Sequence, residues 1–280
     1  MKNLIITHGD VDGVICAAII KARVERIGED IDVVFTQPFL INKIDYSSYD
    51  KVFVLDIAAN NKNLQMTKDF INHLGQKLVM WGDHHKGWGN VPTDERFIID
   101  DKAKSCASVI AREMSPEIQS WIEAANAVDS RQGTTELGTL LDQSSKVDLS
   151  DNSVRYYAID FLLNKNNGSL LYQKQREYIT IENKTKVLVC KGQLIEGVFV
   201  IDTRGETGFD RTQLFMLGYK QSPFVVVLGK LNENIETTIA TNLLNINLVD
   251  VFGLSSGAPF RVGLDGDMVQ MAIKKLTCLR

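Results

Sequence analysis

Five short apolar runs rich in branched residues punctuate the first hundred residues: "NLIIT" (3–7), "DVVFT" (32–36), "KVFVLD" (51–56), "KLVMW" (77–81) and "RFIID" (96–100). They are almost continuously apolar, the pattern of strands covered on both faces, and polar or glycine-bearing breaks follow them. Between and after them run helical patterns at 13–26, 61–75, 105–114 and 117–129. This alternation fixes the class as α/β, with a parallel-sheet N-terminal domain over residues 1–150. From 151 to 186 the pattern is helical without strands, broken by the Asn164–Ser169 segment, and predicts a connector. Strands return as "VLVCKG" (187–192), "GVFVIDT" (197–203), "PFVVVLGK" (223–230) and "IETTIATN" (235–242), before a last helix, "DMVQMAIKKL" (267–276). A smaller mixed-sheet domain over 187–280 is expected, with the active site in the cleft between the two domains.

The 280 residues, 44% of them hydrophobic, suffice for two cores. A net charge of −4 and a pI near 5.6 do not favour long nucleic acids, whose binding leans on many Lys and Arg contacts. The basic clusters "KARVER" (21–26) and "KTK" (184–186) fit solvated helix faces. Apolar runs are too short to span a bilayer and the start is polar too soon for a signal segment, so the cytoplasm is the expected compartment and no membrane partner is expected. Cys16, Cys106, Cys190 and Cys278 lie far apart with no CxxC pair, against a structural zinc site or a disulfide framework; they read as buried thiols. Oligomeric state stays open, a homodimer included.

The acids and histidines fall at the strand ends. His8, Asp10 and Asp12 follow the first run in "HGDVDG", Asp56 ends the third, and Asp83, His84 and His85 follow the fourth in "GDHH". In an open α/β sheet, ligand sites form at the carboxyl ends of the strands, so these groups converge. Each has a plainer alternative: Asp56 as a turn or cap residue, Asp129 as a helix-terminal acid, Lys86 as a loop lysine. His73, near a helix C-terminus, fits a structural cation. A cluster of four or more carboxylates with histidines repels itself when empty, and divalent cations resolve that conflict. Imidazole and carboxylate ligands without thiolate suit manganese, with magnesium or cobalt as alternatives, and so many carboxylates exceed what one ion needs. Two ions sharing a bridging carboxylate are expected, typically about 3.5–4 Å apart.

"HGDVDG", the Asp of "VLDIA", "GDHH" and the Asp of "AANAVDSRQG" resemble the four ordered motifs of the DHH phosphoesterase superfamily. That superfamily includes RecJ-type exonucleases, small oligoribonucleases, cyclic dinucleotide phosphodiesterases, exopolyphosphatases and family II pyrophosphatases. The resemblance covers the N-terminal half. It implies that His8, Asp10 and Asp56 hold one manganese and that Asp12, Asp56, His84 and Asp129 hold the other, with Asp56 bridging. It further implies that Asp83 orients His84, since ligand histidines usually donate their second N–H to a carboxylate or carbonyl, and that His85 faces the substrate phosphate. His85 and Asp83 are thus the expected catalytic pair.

In the C-terminal half, "GLSSGAPFRVG" (253–263) resembles the GGGHxxAAG segment of the DHH-associated domain, whose backbone amides and histidine contact substrate. Ser255 and Ser256 stand for two of its glycines, Ala258 for its histidine and Arg261 for an alanine. Ser255, Ser256, Gly257 and Arg261 are therefore the expected substrate contacts, Arg261 replacing the missing positive group. The same segment matches the G-x-S-x-G elbow of serine hydrolases, but that arrangement needs a preceding strand and a later histidine, and the last histidine is His85. A manganese-dependent phosphohydrolase of short oligonucleotides or other small phosphodiesters is expected. A pyrophosphatase or exopolyphosphatase, and a DHH module without catalysis, are the alternatives.

Overall fold

The computed structural model of the chain describes residues 1–60, 63–111, 118–130, 133–231, 234–243, 245–254 and 260–279. Two compact units divide it, Met1–Glu177 and Tyr178–Arg280.

In the first unit β1 (Lys2–Thr7), β2 (Asp30–Phe35), β3 (Lys51–Leu55), β4 (Leu78–Asp83) and β5 (Phe97–Ile99) form a wholly parallel sheet in the order β2-β1-β3-β4-β5. Successive side chains on a strand point to opposite faces. Ile5, Phe53 and Leu55 accordingly enter one core, against α1 (Val11–Arg26), α3 (Cys106–Ile110), α4 (Gln119–Asp129), α5 (Glu136–Ser145) and α6 (Ser153–Leu162). Leu4, Ile6, Val52 and Val54 enter the other, beneath α2 (Leu64–Leu74) and around Trp81. The five expected strands are all present, their ends shifted by at most a few residues. Helix α1 begins two residues earlier than its apolar pattern because Asp10 caps it, accepting from the Gly13 amide at 3.1 Å. The helix expected at 105–114 is described only as far as Ala111.

The long α7 (Ser169–Cys190) contains the boundary between the units. The run "VLVCKG", expected as a strand, is instead the end of this helix and the turn after it. Leu188 explains why: as part of the helix it packs with Phe199, Ile201 and Leu214 in a core of the second unit, and that burial overrides the β preference of its neighbours.

The second unit holds a mixed sheet in the order β10-β9-β8-β7-β6, built from β6 (Gln193–Ile195), β7 (Val198–Asp202), β8 (Phe224–Leu231), β9 (Asn234–Thr241) and β10 (Arg261–Asp265). Among the described residues only the β7/β8 pair of this sheet is parallel. Helices α9 (Leu248–Phe252) and α10 (Val269–Thr277) pack on one face, and α8 (Arg211–Gly218) with the end of α7 on the other. Cys16 and Cys106 are buried, but Cys190 and Cys278, each at the C-terminal end of a helix, are exposed, so only half of the thiols are the buried ones expected. Among the described residues no helix is long and apolar enough to cross a membrane.

Candidate metal centre

The strand order reverses between β1 and β3, the point where parallel sheets open a crevice at their carboxyl ends. The "HGDVDG" turn lies there. It leaves β1 so tightly that a Cβ on Gly13 would stand 2.1 Å from the His8 carbonyl oxygen and 2.9 Å from Thr7 Oγ1, and Thr7 Oγ1 itself donates to the Gly13 carbonyl at 3.0 Å. Asp56, directly after β3, adopts the left-handed region at φ 54°, uncommon for a residue with a Cβ, and its amide donates to Gly82 O at 2.9 Å.

Three overlapping sets of side chains bring their ligand atoms within 4.8 Å of one another: His8, Asp10 and Asp56; Asp12, His84 and Asp129; and Asp56, His84 and His85. All six residues expected as metal ligands are thus gathered, from elements as distant as β1 and the end of α4. His84 Nε2 lies 3.6 Å from Asp12 Oδ2, 3.6 Å from Asp56 Oδ1 and 3.4 Å from Asp129 Oδ2. Asp12 is fixed by two backbone amides at the start of α3, Cys106 N at 2.6 Å and Ala107 N at 2.9 Å. His8 Nδ1 meets Asp10 Oδ2 at 2.6 Å.

Electrostatics at the centre are unbalanced. Burial, followed by the charges of Asp12 and Asp10, pushes the Asp56 carboxyl well above its ordinary range. Burial and the Asp10 charge push Asp12 up to about 7. Burial also works against the Asp10 carboxylate, but its hydrogen bond to His8 and the His8 charge outweigh that and hold it at about 2. Both oxygens of Asp56 and Nε2 of His84 are buried without a hydrogen-bond partner. Orphaned buried polar atoms of this kind are costly, and three of them within a cluster of carboxylates fit a divalent cation.

One expected relation differs. Asp83 does not orient His84: its Oδ1 takes His85 Nδ1 at 2.8 Å and its Oδ2 takes Trp88 Nε1 at 2.7 Å. Residues two apart in an extended segment share a side, so the carboxylate of Asp83 falls beside His85, while His84 turns to the opposite side and approaches the Ala103 carbonyl at 3.4 Å. Burial lowers the His85 pKa, but the Asp83 hydrogen bond and charge, with Asp129 and Asp10, raise it above the ordinary imidazole value.

Of the remaining candidates, Ser255, Ser256 and Gly257, with Ala258, lie outside the described residues. Arg261 is exposed at the first position of β10, opposite Ala240. Lys86 is exposed, and His73 bonds the Asp69 carbonyl within α2, as a structural histidine does. Two residues at the centre escaped the sequence: Gln37, whose Oε1 lies 3.1 Å from His8 Nε2, and Arg155, whose Nε donates to the Gly9 carbonyl at 2.6 Å. Neither stands in a motif, and only strand adjacency and helix packing bring them to the turn.

No family model matches the sequence, and no curated protein does. Solved structures do resemble the chain. A pGpG-specific phosphodiesterase, PggH, from Vibrio cholerae matches with a TM-score of 0.66 at 15% identity, over 100% of this chain and 98% of that one. RecJ of Thermus thermophilus, in complex with Mn2+, matches with a TM-score of 0.70 at 13% identity, over 99% of this chain but 52% of RecJ, so this chain spans about half of RecJ's length. An exopolyphosphatase-related protein from Bacteroides fragilis matches with a TM-score of 0.57 at 15% identity, over 99% and 93% of the two chains. At such identities the likeness establishes the fold, which is the one that the DHH resemblance implied.

Proposed function

We propose that the chain is a metal-dependent phosphoesterase that hydrolyses short oligonucleotides or other small phosphodiesters. The observation that carries this is the buried, unpartnered trio of Asp56 Oδ1, Asp56 Oδ2 and His84 Nε2 among three overlapping ligand sets. In this reading His8, Asp10 and Asp56 hold one manganese, and Asp12, Asp56, His84 and Asp129 hold the second. Bound divalent ions would supply Lewis-acid polarisation of the phosphoryl oxygens and acidify water for attack on phosphorus.

The protein's own groups do the rest. Asp56, which stands with His8 and Asp10 in one group and with His84 in another, would serve both ions. His85, held at Nδ1 by Asp83, would present Nε2 to the charge that grows on phosphoryl oxygen. Trp88 fixes the other oxygen of Asp83, so the His85 ring is oriented by a side chain that is itself locked. A small substrate is supported by PggH, named a pGpG-specific phosphodiesterase, which this chain matches over nearly its whole length. Phosphoanhydride cleavage is the second reading, supported by the exopolyphosphatase-related neighbour.

A substrate panel tests both. Dinucleotides, longer oligomers, cyclic dinucleotides, bis-p-nitrophenyl phosphate, pyrophosphate and polyphosphate would each be incubated with the full chain and manganese. Release of mononucleotides from linear dinucleotides is the expected result. Turnover of pyrophosphate or polyphosphate with none of any diester would replace it with the second reading.

A further inference from the structure

Arg155 is a cation held inside the first unit by contacts the proposed chemistry does not use. It projects from α6, is 6% exposed, and spends its donors on backbone and one amide: Nε on Gly9 O at 2.6 Å, and Nη1 on Leu149 O at 3.2 Å, Asp151 O at 3.4 Å and Asn152 Oδ1 at 2.7 Å. Its guanidinium carbon stands 5.9 Å from the centre of the Phe35 ring on β2. Gly9 is the residue between His8 and Asp10, and a Cβ there would meet Arg155 Nε at 3.0 Å and Cζ at 3.4 Å. The guanidinium and the bare glycine are therefore fitted to one another at the peptide that joins two members of one ligand set.

The two ligand sets have separate anchors. Asp12 is held by the amides of Cys106 and Ala107, and His84 approaches the Ala103 carbonyl; neither touches Arg155. Among the described residues His8 and Asp10 have no such backbone tie to α3. The turn that carries them is held by the Gly13 amide on Asp10, by Gln37 at His8 Nε2 and by Arg155 on the Gly9 carbonyl between them.

We propose that Arg155 is a positioning residue that, through the Gly9 carbonyl, sets His8 and Asp10 for the His8–Asp10–Asp56 ion, and that the Asp12–His84–Asp129 ion does not depend on it. This rests on the metal-centre reading above. A burial-only role for Arg155 would weaken both sets alike, because both lie in one folding unit; a positioning role weakens one.

Manganese titration of the metal-free full chain, followed by calorimetry and by the Mn2+ EPR signal, distinguishes these. The wild type should take up two ions. Arg155→Met should weaken one binding step by roughly 10–100-fold, the usual effect of losing an outer contact to a metal ligand, and leave the other within about two-fold. Arg155→Lys, which can still reach one carbonyl, should fall between. Gly9→Ala, whose methyl would press Arg155 Nε aside by a few tenths of an ångström, should weaken the same step less than Arg155→Met does, and adding it to Arg155→Met should cost little more, because the group it presses on is then gone. Unchanged isotherms in Arg155→Met, or equal weakening of both steps in parallel with a lower unfolding temperature, would overturn the proposal. If Arg155→Met does not fold, the Arg155→Lys and Gly9→Ala isotherms decide in the same terms. A wild-type chain that binds no manganese at all would instead overturn the metal-centre reading, and this inference with it.

Discussion

Asp56 combines a left-handed backbone, complete burial and two oxygens without partners, so its substitution separates charge from shape. Asparagine tolerates φ 54° better than most residues and keeps the volume, so Asp56→Asn should fold. It should nonetheless lose metal from both sets, and full occupancy with normal turnover, measured by elemental analysis and assay, would remove Asp56 from the bridge. Asp83→Asn should behave differently, since Asp83 serves His85. Metal content should persist, while the loss of activity with rising pH, as the His85 proton departs, moves to lower pH because the carboxylate that raises that pKa is gone. The metal-free protein should also be less stable as pH rises. Asp12 and Asp56 keep protons in the folded state that the unfolded chain releases near pH 4, so stability declines as pH rises from there towards the folded value, about 7 for Asp12. The raised pKa values of His8 and His85 act in the same direction above pH 6.5. Urea unfolding in chelator from about pH 5 to about pH 8 should show this slope, and manganese, which replaces those protons, should bind more tightly as pH rises.

At the scale of elements, much of the candidate site was legible because five of its six candidate ligands follow strand ends, where an apolar run stops abruptly at a polar residue, while Asp129 ends α4. The runs ending before His8, Asp56 and His84 announced the sheet and its crevice together. What could not be read was contact between elements. Nothing in "SVRYYAIDF" marks Arg155 as a partner of Gly9, 146 residues earlier, and nothing in "TQPF" marks Gln37 as a neighbour of His8. The Asp83–His85 pairing follows from side-chain alternation, which sets the adjacent His84 on the opposite side. The end of α7 was misread because a valine-rich run carries the same pattern on a strand and on a half-buried helix. The HGDVDG turn yields the element-scale prediction. Gly13→Ala would drive a methyl onto the His8 backbone, which cannot move aside as a flexible side chain does, and should destabilise the protein by about 1–3 kcal/mol or more. Thermal unfolding of the metal-free variant measures it.

For the whole molecule, all six candidate ligands, and the two cores that support them, lie within Met1–Glu177. A fragment ending at Glu177 should therefore fold and bind manganese as the full chain does; circular dichroism and metal titration would check it, and a fragment that folds without taking up metal would place an essential ligand in Tyr178–Arg280. The same placement has a consequence for synthesis. Asp12 is tied to amides 94 and 95 residues further on, and Asp129 is the last candidate ligand in order of translation. Loop-closure entropy must be met before such distant contacts give anything back, so the turn after β1 waits, loosely held, until most of the unit has emerged. While a nascent chain is still short of Asp129 it exposes a run of acids with half a cage around them, and a cation that meets it then can be held only weakly. On the metal-centre reading proposed above, capture of the ion would be a late event, and it would set the finished unit apart from every shorter chain the ribosome presents.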